Sequence, residues 1–264
     1  MGMKLTRRKT PRINPLLSSM LHKFLSPMIL IPLRDRFGGE RDIEIDLLSK
    51  VVKRGDRVID VGAHLGAYTF VLAKLVGKKG MVWAFEPSPM CFLYLKNGFR
   101  FRKQVKLHNL ALSSKNQDLT LHSPDSSHGN PIASAGGSIS QKFLDGRKEM
   151  VAGQTLDTFN LQDLSFIKID TEGHELDVLV GSLQTIRASK PILLIEIFRG
   201  ISIDKSNEIW NLLNEFKYVA YCVGNGQIRS LEVNQHLGDV KFRGNDRSVN
   251  FFFIPENRTG KILN

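Results

Sequence analysis

Short apolar runs alternate with segments of helical periodicity along most of the chain. Apolar runs of about four to eight residues favour buried strands, whereas apolar positions three or four apart favour amphipathic helices. We predict strands over residues 58–61, 81–85, 105–112, 166–170, 192–197, 218–223 and 249–254. We predict helices over residues 41–52, 69–76, 87–100, 176–189 and 205–216. This alternation indicates a mostly parallel sheet with helices on both faces.

Two sections interrupt the alternation. Residues 113–121 suggest a short hairpin, and residues 123–140 are rich in Ser, Gly, Asn and Pro, which is typical of a mobile loop. We interpret this loop as a substrate lid, with a plain surface insertion as the alternative. His122 and His128 flank this region without partners at ligand spacing, so they predict no metal site.

A glycine turn follows the first predicted strand, within RVIDVGAHLGAYTF at residues 57–70, and its glycines are spaced GxxxG. A dinucleotide site would show GxGxxG, a phosphate loop would show GxxxxGK, and no basic residue lies in the turn to meet a phosphate. Because glycine lacks a Cβ and tolerates positive φ, such a turn can bring main-chain N–H groups close to a ligand. The candidate cofactor-binding residues of the turn are Gly62, Ala63, His64 and Gly66.

Two acidic residues lie at the carboxyl ends of neighbouring predicted strands. Asp60 lies at the end of the first strand, and Glu86 follows the second, where this architecture hydrogen-bonds a ribose hydroxyl. Together with a phosphate-free turn, they favour a nucleoside ligand without a pyrophosphate, namely S-adenosylmethionine. The end of the third strand should form a wall of the adenine pocket, through Asn109 and the main chain around Ala111. Asn109 is alternatively a turn residue.

Six motifs follow one another along the chain: DVGAHLGAYT, AFEPSP, NLALSS, TLDTF, FIKIDTEGHELDVLVG and ILLIEI. In this order, from about residue 38 to residue 255, they resemble an FkbM-type methyltransferase domain. The resemblance implies an α/β class I methyltransferase fold, which is Rossmann-like. Its sheet would be seven-stranded and mostly parallel, with helices on both faces and an antiparallel final strand. The resemblance also implies methyl transfer to a hydroxyl, often on a sugar or a polyketide.

The fourth and fifth predicted strands supply the catalytic candidates. Asp170 ends the fourth strand at the same edge as Asp60, beside the methionine end of the cofactor, and Glu196 lies near the end of the fifth. A hydroxyl acceptor must lose its proton. His174 is the natural general base, because an imidazole pKa of about 6.5 suits neutral pH, and Glu172 competes with it. Alternatively neither acts, and alignment of the two substrates does most of the work.

Two further alternatives concern acidic residues near this site. Asp170, Glu172 and Glu196 could gather a divalent cation that lowers the pKa of the acceptor, but their spacing does not require one, and we predict no metal. Asp157, in the TLD motif, either caps the segment that follows, which we favour, or reaches the substrate.

Positive charge is concentrated at the amino-terminal end. The 264 residues carry a formal net charge of +11, and residues 1–41 hold nine lysines and arginines against two acidic residues. We therefore expect the catalytic region to be only mildly basic. Cys91 and Cys222 are far apart and outside any CxxC motif, which predicts reduced core residues in a cytoplasmic protein.

We divide the chain into an arm (residues 1–37), a methyltransferase domain (residues 38–257) and a tail (residues 258–264). The charged start of the arm should be disordered when free. Its apolar segment, residues 16–33, is too short and too interrupted by prolines to span a bilayer, and no small-residue cleavage site marks a signal peptide. The arm packs on the domain or covers the active site, makes a peripheral contact with an anionic membrane, or meets an acidic macromolecular partner.

The function that these features favour is S-adenosylmethionine-dependent O-methylation of a small-molecule, sugar or glycolipid hydroxyl. A nucleic-acid methyltransferase is the enzymatic alternative. It would be expected to carry a proline–aromatic motif after the fourth strand, where this chain has DTEGHE, so nucleic acid is the less favoured substrate. The non-enzymatic alternative is a membrane-surface binding protein on the same fold, although Asp60, Glu86 and Asp170 argue for cofactor binding.

Overall fold

A computed structural model describes residues 43–123, 137–140, 146–198, 203–224, 227–230 and 248–261. The predictions for the arm and for most of the proposed lid lie outside the described residues. At the other end, residues 258–261, predicted as tail, belong to a short 3-10 helix, Glu256–Lys261.

Helices and strands alternate as predicted over most of the chain, whereas β6 was not predicted. The α-helices are α1 (Ile43–Val51), α2 (Ala67–Val76), α3 (Pro89–Phe99), α4 (Glu175–Val180), α5 (Leu183–Ser189) and α6 (Ile203–Glu215). The strands are β1 (Arg57–Val61), β2 (Met81–Phe85), β3 (Val105–His108), β4 (Ala111–Leu112), β5 (Gln117–Ser123), β6 (Arg147–Gln154), β7 (Leu164–Ile169), β8 (Ile192–Phe198), β9 (Tyr218–Gly224), β10 (Gln227–Ser230) and β11 (Ser248–Pro255). Two further 3-10 helices span Gly77–Lys79 and Leu156–Phe159.

The larger sheet has the strand order β10-β9-β11-β8-β7-β1-β2-β3. Strands β3, β2, β1, β7 and β8 are parallel, and β11 lies antiparallel between β8 and β9. The predicted seven-stranded, mostly parallel sheet with an antiparallel final strand is therefore confirmed. Strand β10, which pairs antiparallel with β9 at the edge, is an addition that the sequence did not predict.

The two faces of this sheet carry separate parts of the core. On one face Val58 and Val82 pack with residues of α1, α2 and α3, such as Leu48, Leu72 and Leu95. Residues of α4, α5 and α6 pack on the opposite face with their own strand partners, such as Ile59, Ile167, Leu179, Ile186 and Leu213. Successive residues of a strand point to opposite faces, so these apolar strands are buried on both sides.

The prediction of a single strand over residues 105–112 was wrong. Strand β3 ends at His108, and β4 joins a second sheet of order β4-β6-β5. The Asn109 side chain marks the break, because its Nδ2 donates to the carbonyls of Glu86 (2.9 Å) and Pro87 (3.0 Å). The expected local hairpin is also absent from the described residues 113–121, since β5 pairs instead with the distant strand β6.

The helix predicted over residues 176–189 is divided into α4 and α5 at Gly181. A Cβ added at Gly181 would lie 2.0 Å from the Ser113 carbonyl oxygen, so only glycine permits this contact. Asp157 then caps α5 from a distant part of the chain, with its carboxylate accepting bonds from Gln184 N (3.0 Å) and Thr185 N (2.8 Å). Asp157 therefore caps a helix, although not in the segment that immediately follows it.

Candidate active site

Asp60 is completely buried at the end of β1. Its Oδ2 accepts a 2.6 Å hydrogen bond from the Thr69 hydroxyl in the first turn of α2. Its Oδ1 is buried without a hydrogen-bond partner in the described part of the chain. Burial raises the pKa of Asp60, and the nearby Lys168 ammonium opposes this effect.

The main chain of the glycine turn packs directly against the main chain at the end of β7. Gly62 has φ +76°, and a Cβ added there would lie 1.8 Å from the Asp170 carbonyl oxygen. The amides of Gly62 and Ala63 donate to Phe85 O, and that of Gly66 donates to Ala63 O. Because these amides are bonded within the protein, the GxxxG spacing is explained by close packing. Cofactor binding by these residues stays a prediction.

Glu86 is held rigidly at the end of β2. Its Oε2 accepts a bond from His64 N (2.7 Å), and its Oε1 accepts one from Ser88 N (2.8 Å). Burial raises the pKa of Glu86 to about 7, against the lowering effect of these two bonds. Each carboxylate oxygen can accept a second hydrogen bond, so the side chain retains capacity for hydroxyl donors.

Asn109 and Ala111, the candidates from the end of the predicted third strand, make contacts within the protein. Asn109 uses its amide nitrogen to brace the main chain at Glu86, which matches the turn-residue alternative. Ala111 is buried in β4, where it packs with Leu121 and Val151 of the smaller sheet. Their direct contact with an adenine ring stays a prediction.

Lys168 is a central site residue that the sequence analysis did not identify. It is almost completely buried in β7, with Nζ 2.7 Å from Asp170 Oδ2 and 4.3 Å from the centre of the Tyr68 ring. Burial lowers the pKa of Lys168, but Asp170 and Asp60 outweigh it, so the net shift is upward. The available signal was a lysine inside the apolar run FIKI, because a buried charge requires a partner.

Asp170 and Glu196 meet beside this ammonium. Burial raises the pKa of Asp170, but the Lys168 charge and a hydrogen bond with the Glu196 side chain outweigh it and lower the pKa overall. Glu196 thus has the partner that a carboxyl group in an apolar strand requires. The chain brings Asp60, Asp170 and Glu196 together, as expected for the carboxyl edge of a parallel sheet.

The turn after β7 is fixed from within by Glu175. Its Oε1 accepts bonds from Thr171 N, the Thr171 hydroxyl and Gly173 N, all between 2.9 and 3.1 Å. Glu172 and Gly173 both adopt positive φ, +53° and +101°. A left-handed glutamate is uncommon, and such strain clusters at functional sites. Glu172 is exposed at the tip of this turn.

His174 precedes α4 and is buried. Its Nε2 lies 3.0 Å from Ser113 Oγ, and its Nδ1 lies 3.4 Å from Asp177 Oδ2 and 3.5 Å from Ser140 Oγ. Burial lowers the pKa of His174, against the raising effect of Asp177, so the imidazole is neutral at pH 7. The ring connects the end of β4 to the start of α4, and both of its nitrogens already have neighbours.

Metal and membrane features are absent from the described ranges. In that part of the chain, no three or more His, Cys, Asp or Glu residues are grouped so that they could hold a metal ion. The described helices are also all too short or too polar to cross a bilayer.

Comparison with known proteins identifies the family. The family model described as the methyltransferase FkbM domain matches residues 60–220, which are more than half of the chain. The chain belongs to the FkbM methyltransferase family. The resemblance inferred from the motifs is thus confirmed, and the protein is a methyltransferase.

Two known proteins illustrate what this chain is similar to. Hexuronic acid methyltransferase AglP from Haloferax volcanii is 30% identical over 181 residues, which cover 68% of this chain and 70% of that protein. The crystal structure of methyltransferase FkbM from Methylobacillus flagellatus matches 90% of this chain with a TM-score of 0.50 and 16% identity. This chain spans 58% of that protein's length, and the likeness concerns the fold alone.

Proposed function

We propose that this protein is an S-adenosylmethionine-dependent O-methyltransferase that modifies a hydroxyl of a sugar or glycolipid. The observation that carries the proposal is the cluster at the carboxyl edge of the sheet, where Glu86 and Asp170 lie on either side of the glycine turn. The sequence relative AglP, named a hexuronic acid methyltransferase, supports a sugar as acceptor.

The residues of the cluster fit S-adenosylmethionine. Asp60, Asp170 and Glu196 surround one ammonium, that of Lys168, so three carboxyl groups face a single cation. This excess of acid suits a ligand with a sulfonium and an amino group. Glu86 retains acceptor capacity for the two ribose hydroxyls, and the turn offers no cation for a phosphate.

When bound, S-adenosylmethionine supplies an electrophilic methyl group. The protein has to align the acceptor oxygen with that methyl, exclude water and take the acceptor's proton. We assign the proton to Glu172, because its side chain is exposed at the tip of the turn and its strained main chain is held there by Ser138 Oγ, 2.7 Å from Glu172 O. His174 is buried beneath the same turn, and its role as base stays a prediction that the same experiment tests.

The test measures transfer of a labelled methyl group from S-adenosylmethionine to an alkyl glucuronide and to the matching neutral glucoside. A hydroxyl product is an ether that survives mild alkali, whereas a carboxyl product is an ester that does not. We expect an alkali-stable product. An alkali-labile product from the glucuronide alone would contradict hydroxyl transfer, and failure of the wild type to bind S-adenosylmethionine would contradict the methyl donor.

The proton acceptor is tested with two matched variants. Glu172→Gln should lower kcat by about 100-fold or more with unchanged binding of S-adenosylmethionine. His174→Gln should lower kcat by less than tenfold, because Gln keeps a hydrogen-bonding side chain between Ser113 and Asp177. The reverse order of effects would assign the proton to His174.

A further inference from the structure

Helix α3 and the loop that follows it form a strongly basic surface. Residues 89–106, which we name the basic apolar face, contain five lysines and arginines and no acidic residue. These cations are Lys96, Arg100, Arg102, Lys103 and Lys106. All but the half-buried Arg102 are exposed.

The neighbouring elements add to this charge. Residues 61–117, which run from the last residue of β1 to the first residue of β5, contain nine lysines and arginines but one acidic residue, the buried Glu86. Residues 42–60 and 118–264 together contain 19 basic and 23 acidic residues. Residues 61–117 are therefore much more basic than the rest of the domain sequence, and the expectation of a mildly basic catalytic region holds for its average but not for this segment.

Large apolar side chains project from the same surface. Met90, Leu93 and Phe101 are three of the five large hydrophobic residues that are exposed in the described part of the chain. The exposed fraction is 60% for Leu93 and 79% for Phe101. Clusters of exposed apolar residues with a polar rim mark interaction sites.

The loop after α3 holds Phe101 outward. Arg102 N donates to Phe99 O (2.8 Å), and Val105 N donates to Arg102 O (2.9 Å), so two successive turns fix the main chain on both sides. The Arg100 guanidinium lies 4.5 Å from the centre of the Phe101 ring, which places a cation and an aromatic ring in contact at the surface.

Charge complementarity selects the occupant of this face. Residues 1–41, which include the arm, carry nine basic and two acidic residues, so their charge has the same sign as that of the face and disfavours contact with it. A second copy of the face is repelled for the same reason. A nucleic acid would match the cations but would leave the aliphatic Met90 and Leu93 without a partner. An interfacial lipid layer offers phosphates and an apolar interior together.

We propose that the basic apolar face docks on an anionic phospholipid bilayer, with Leu93 and Phe101 entering the headgroup region and the surrounding cations meeting lipid phosphates. The face begins at the start of α3, where Ser88 both caps the helix and donates to Glu86. Docking would therefore bring the rim of the candidate cofactor site to the membrane surface. The inference depends on this surface alone and not on the proposed methyl transfer.

The experiment is co-sedimentation of the full chain with vesicles of phosphatidylcholine alone and of phosphatidylcholine mixed with phosphatidylglycerol. The wild type should sediment with the anionic vesicles only. The double variants Leu93→Ser/Phe101→Ser and Arg100→Glu/Lys103→Glu should each bind at least tenfold more weakly. Met150→Ser and Lys148→Glu on β6 are matched controls, because both residues are exposed outside the face, and each should bind like the wild type.

Three outcomes would overturn the proposal. The first is wild-type affinity of both double variants for anionic vesicles, which would show that other parts of the chain bind the vesicles. The second is unchanged vesicle binding by Leu93→Ser/Phe101→Ser together with strong binding of single-stranded RNA, which would identify a polyanion surface. The third is the absence of wild-type binding to anionic vesicles. Matching thermal unfolding of all variants establishes that each one is folded.

Discussion

Asp60 and Lys168 are direct partners in the parallel register of β1 and β7, and both are almost completely buried under α2. The same ammonium bonds Asp170 two residues further along the strand. One cation thus links Asp60, which precedes the glycine turn, to Asp170, which follows β7. Because unpaired buried charges are costly, the ionised state of both carboxylates depends on Lys168.

Lys168→Met should destabilise the fold and change the pH dependence of donor binding. Removing one partner of a buried pair costs about 3–5 kcal/mol, and the partial exposure of Asp170 favours the lower end. The pKa of Lys168 is raised, so its stabilisation is complete below the unfolded pKa of 10.5 and is lost only as the pH rises through the folded value. Urea unfolding at pH 7 measures the loss.

Without the cation, the pKa values of Asp60 and Asp170 should rise, so their protonated forms should persist to a higher pH than in the wild type. The affinity of Lys168→Met for S-adenosylmethionine should therefore be lower than that of the wild type at neutral pH, and it should recover only at a higher pH than in the wild type. Lys168→Arg, which keeps the charge, should retain most of the affinity. A Met variant with the wild-type pH profile would show that Lys168 is only a packing residue.

Gly62→Ala should be much more damaging than Gly55→Ala. Both glycines have positive φ, so each substitution carries the left-handed strain of about 1–2 kcal/mol. A Cβ at Gly55 has no atom within 4 Å, whereas at Gly62 it collides with the Asp170 carbonyl. We expect Gly62→Ala to lose a further 1–3 kcal/mol or so of stability and at least tenfold in donor affinity. Equal unfolding free energies for the two variants would contradict the close approach.

Glu86 should give donor binding a pH dependence near neutrality. Its pKa of about 7 means that the carboxylate, which accepts hydroxyl hydrogen bonds, is half-formed there. Affinity for S-adenosylmethionine should fall below pH 7, by no more than about tenfold per pH unit, and level off above it. Calorimetry from pH 5.5 to about 8.5 would measure this change. Glu86→Gln should bind weakly with a flat profile in this range, and a sloping profile would assign the titration to another group.

The stability of the free protein should respond to Glu86 in the opposite direction. A carboxyl group whose folded pKa is raised from 4.5 to about 7 binds its proton more tightly when folded. Its destabilising effect is therefore relieved as the pH falls from 7 towards 4.5. As the pH falls below 7, the affinity for S-adenosylmethionine should therefore decrease while the contribution of Glu86 to stability becomes more favourable. This difference distinguishes the role of Glu86 in binding from its role in folding.

Asp157→Ala should lower stability without affecting the site chemistry. The carboxylate accepts bonds from two amides of α5 and from the Thr185 hydroxyl (2.7 Å), so its loss should cost about 1–2 kcal/mol. The affinity for S-adenosylmethionine should be unchanged. Asp118→Ala, at an exposed position on β5, is the matched control and should be neutral. A loss of donor binding by Asp157→Ala would indicate that this residue acts in the site.

Much of the fold was predictable because short apolar runs and the residues that end them indicate strands directly. The apolar run around Ile59 and the acid at Glu86 marked strand ends, and strand ends meet at one edge in a parallel sheet. The position of Asn109 was harder to predict, because its side chain holds the end of β2 across a distance of about twenty residues in sequence, for which the local pattern has no signal. The division of the helix at Gly181 was missed for a similar reason, since Ser113 makes glycine necessary there.

The sequence by itself determined most strands and helices of the larger sheet, the glycine turn, the acids at the strand ends and the family. These features depend on residue spacing and on which side chains favour a buried strand or a tight turn. Only the tertiary structure decided how the charges combine. It placed Lys168 between Asp60 and Asp170, buried His174 between Ser113 and Asp177, and left Glu172 exposed. The reason is that burial and electrostatic interactions depend on distances between residues from separate strands, which a linear pattern does not contain.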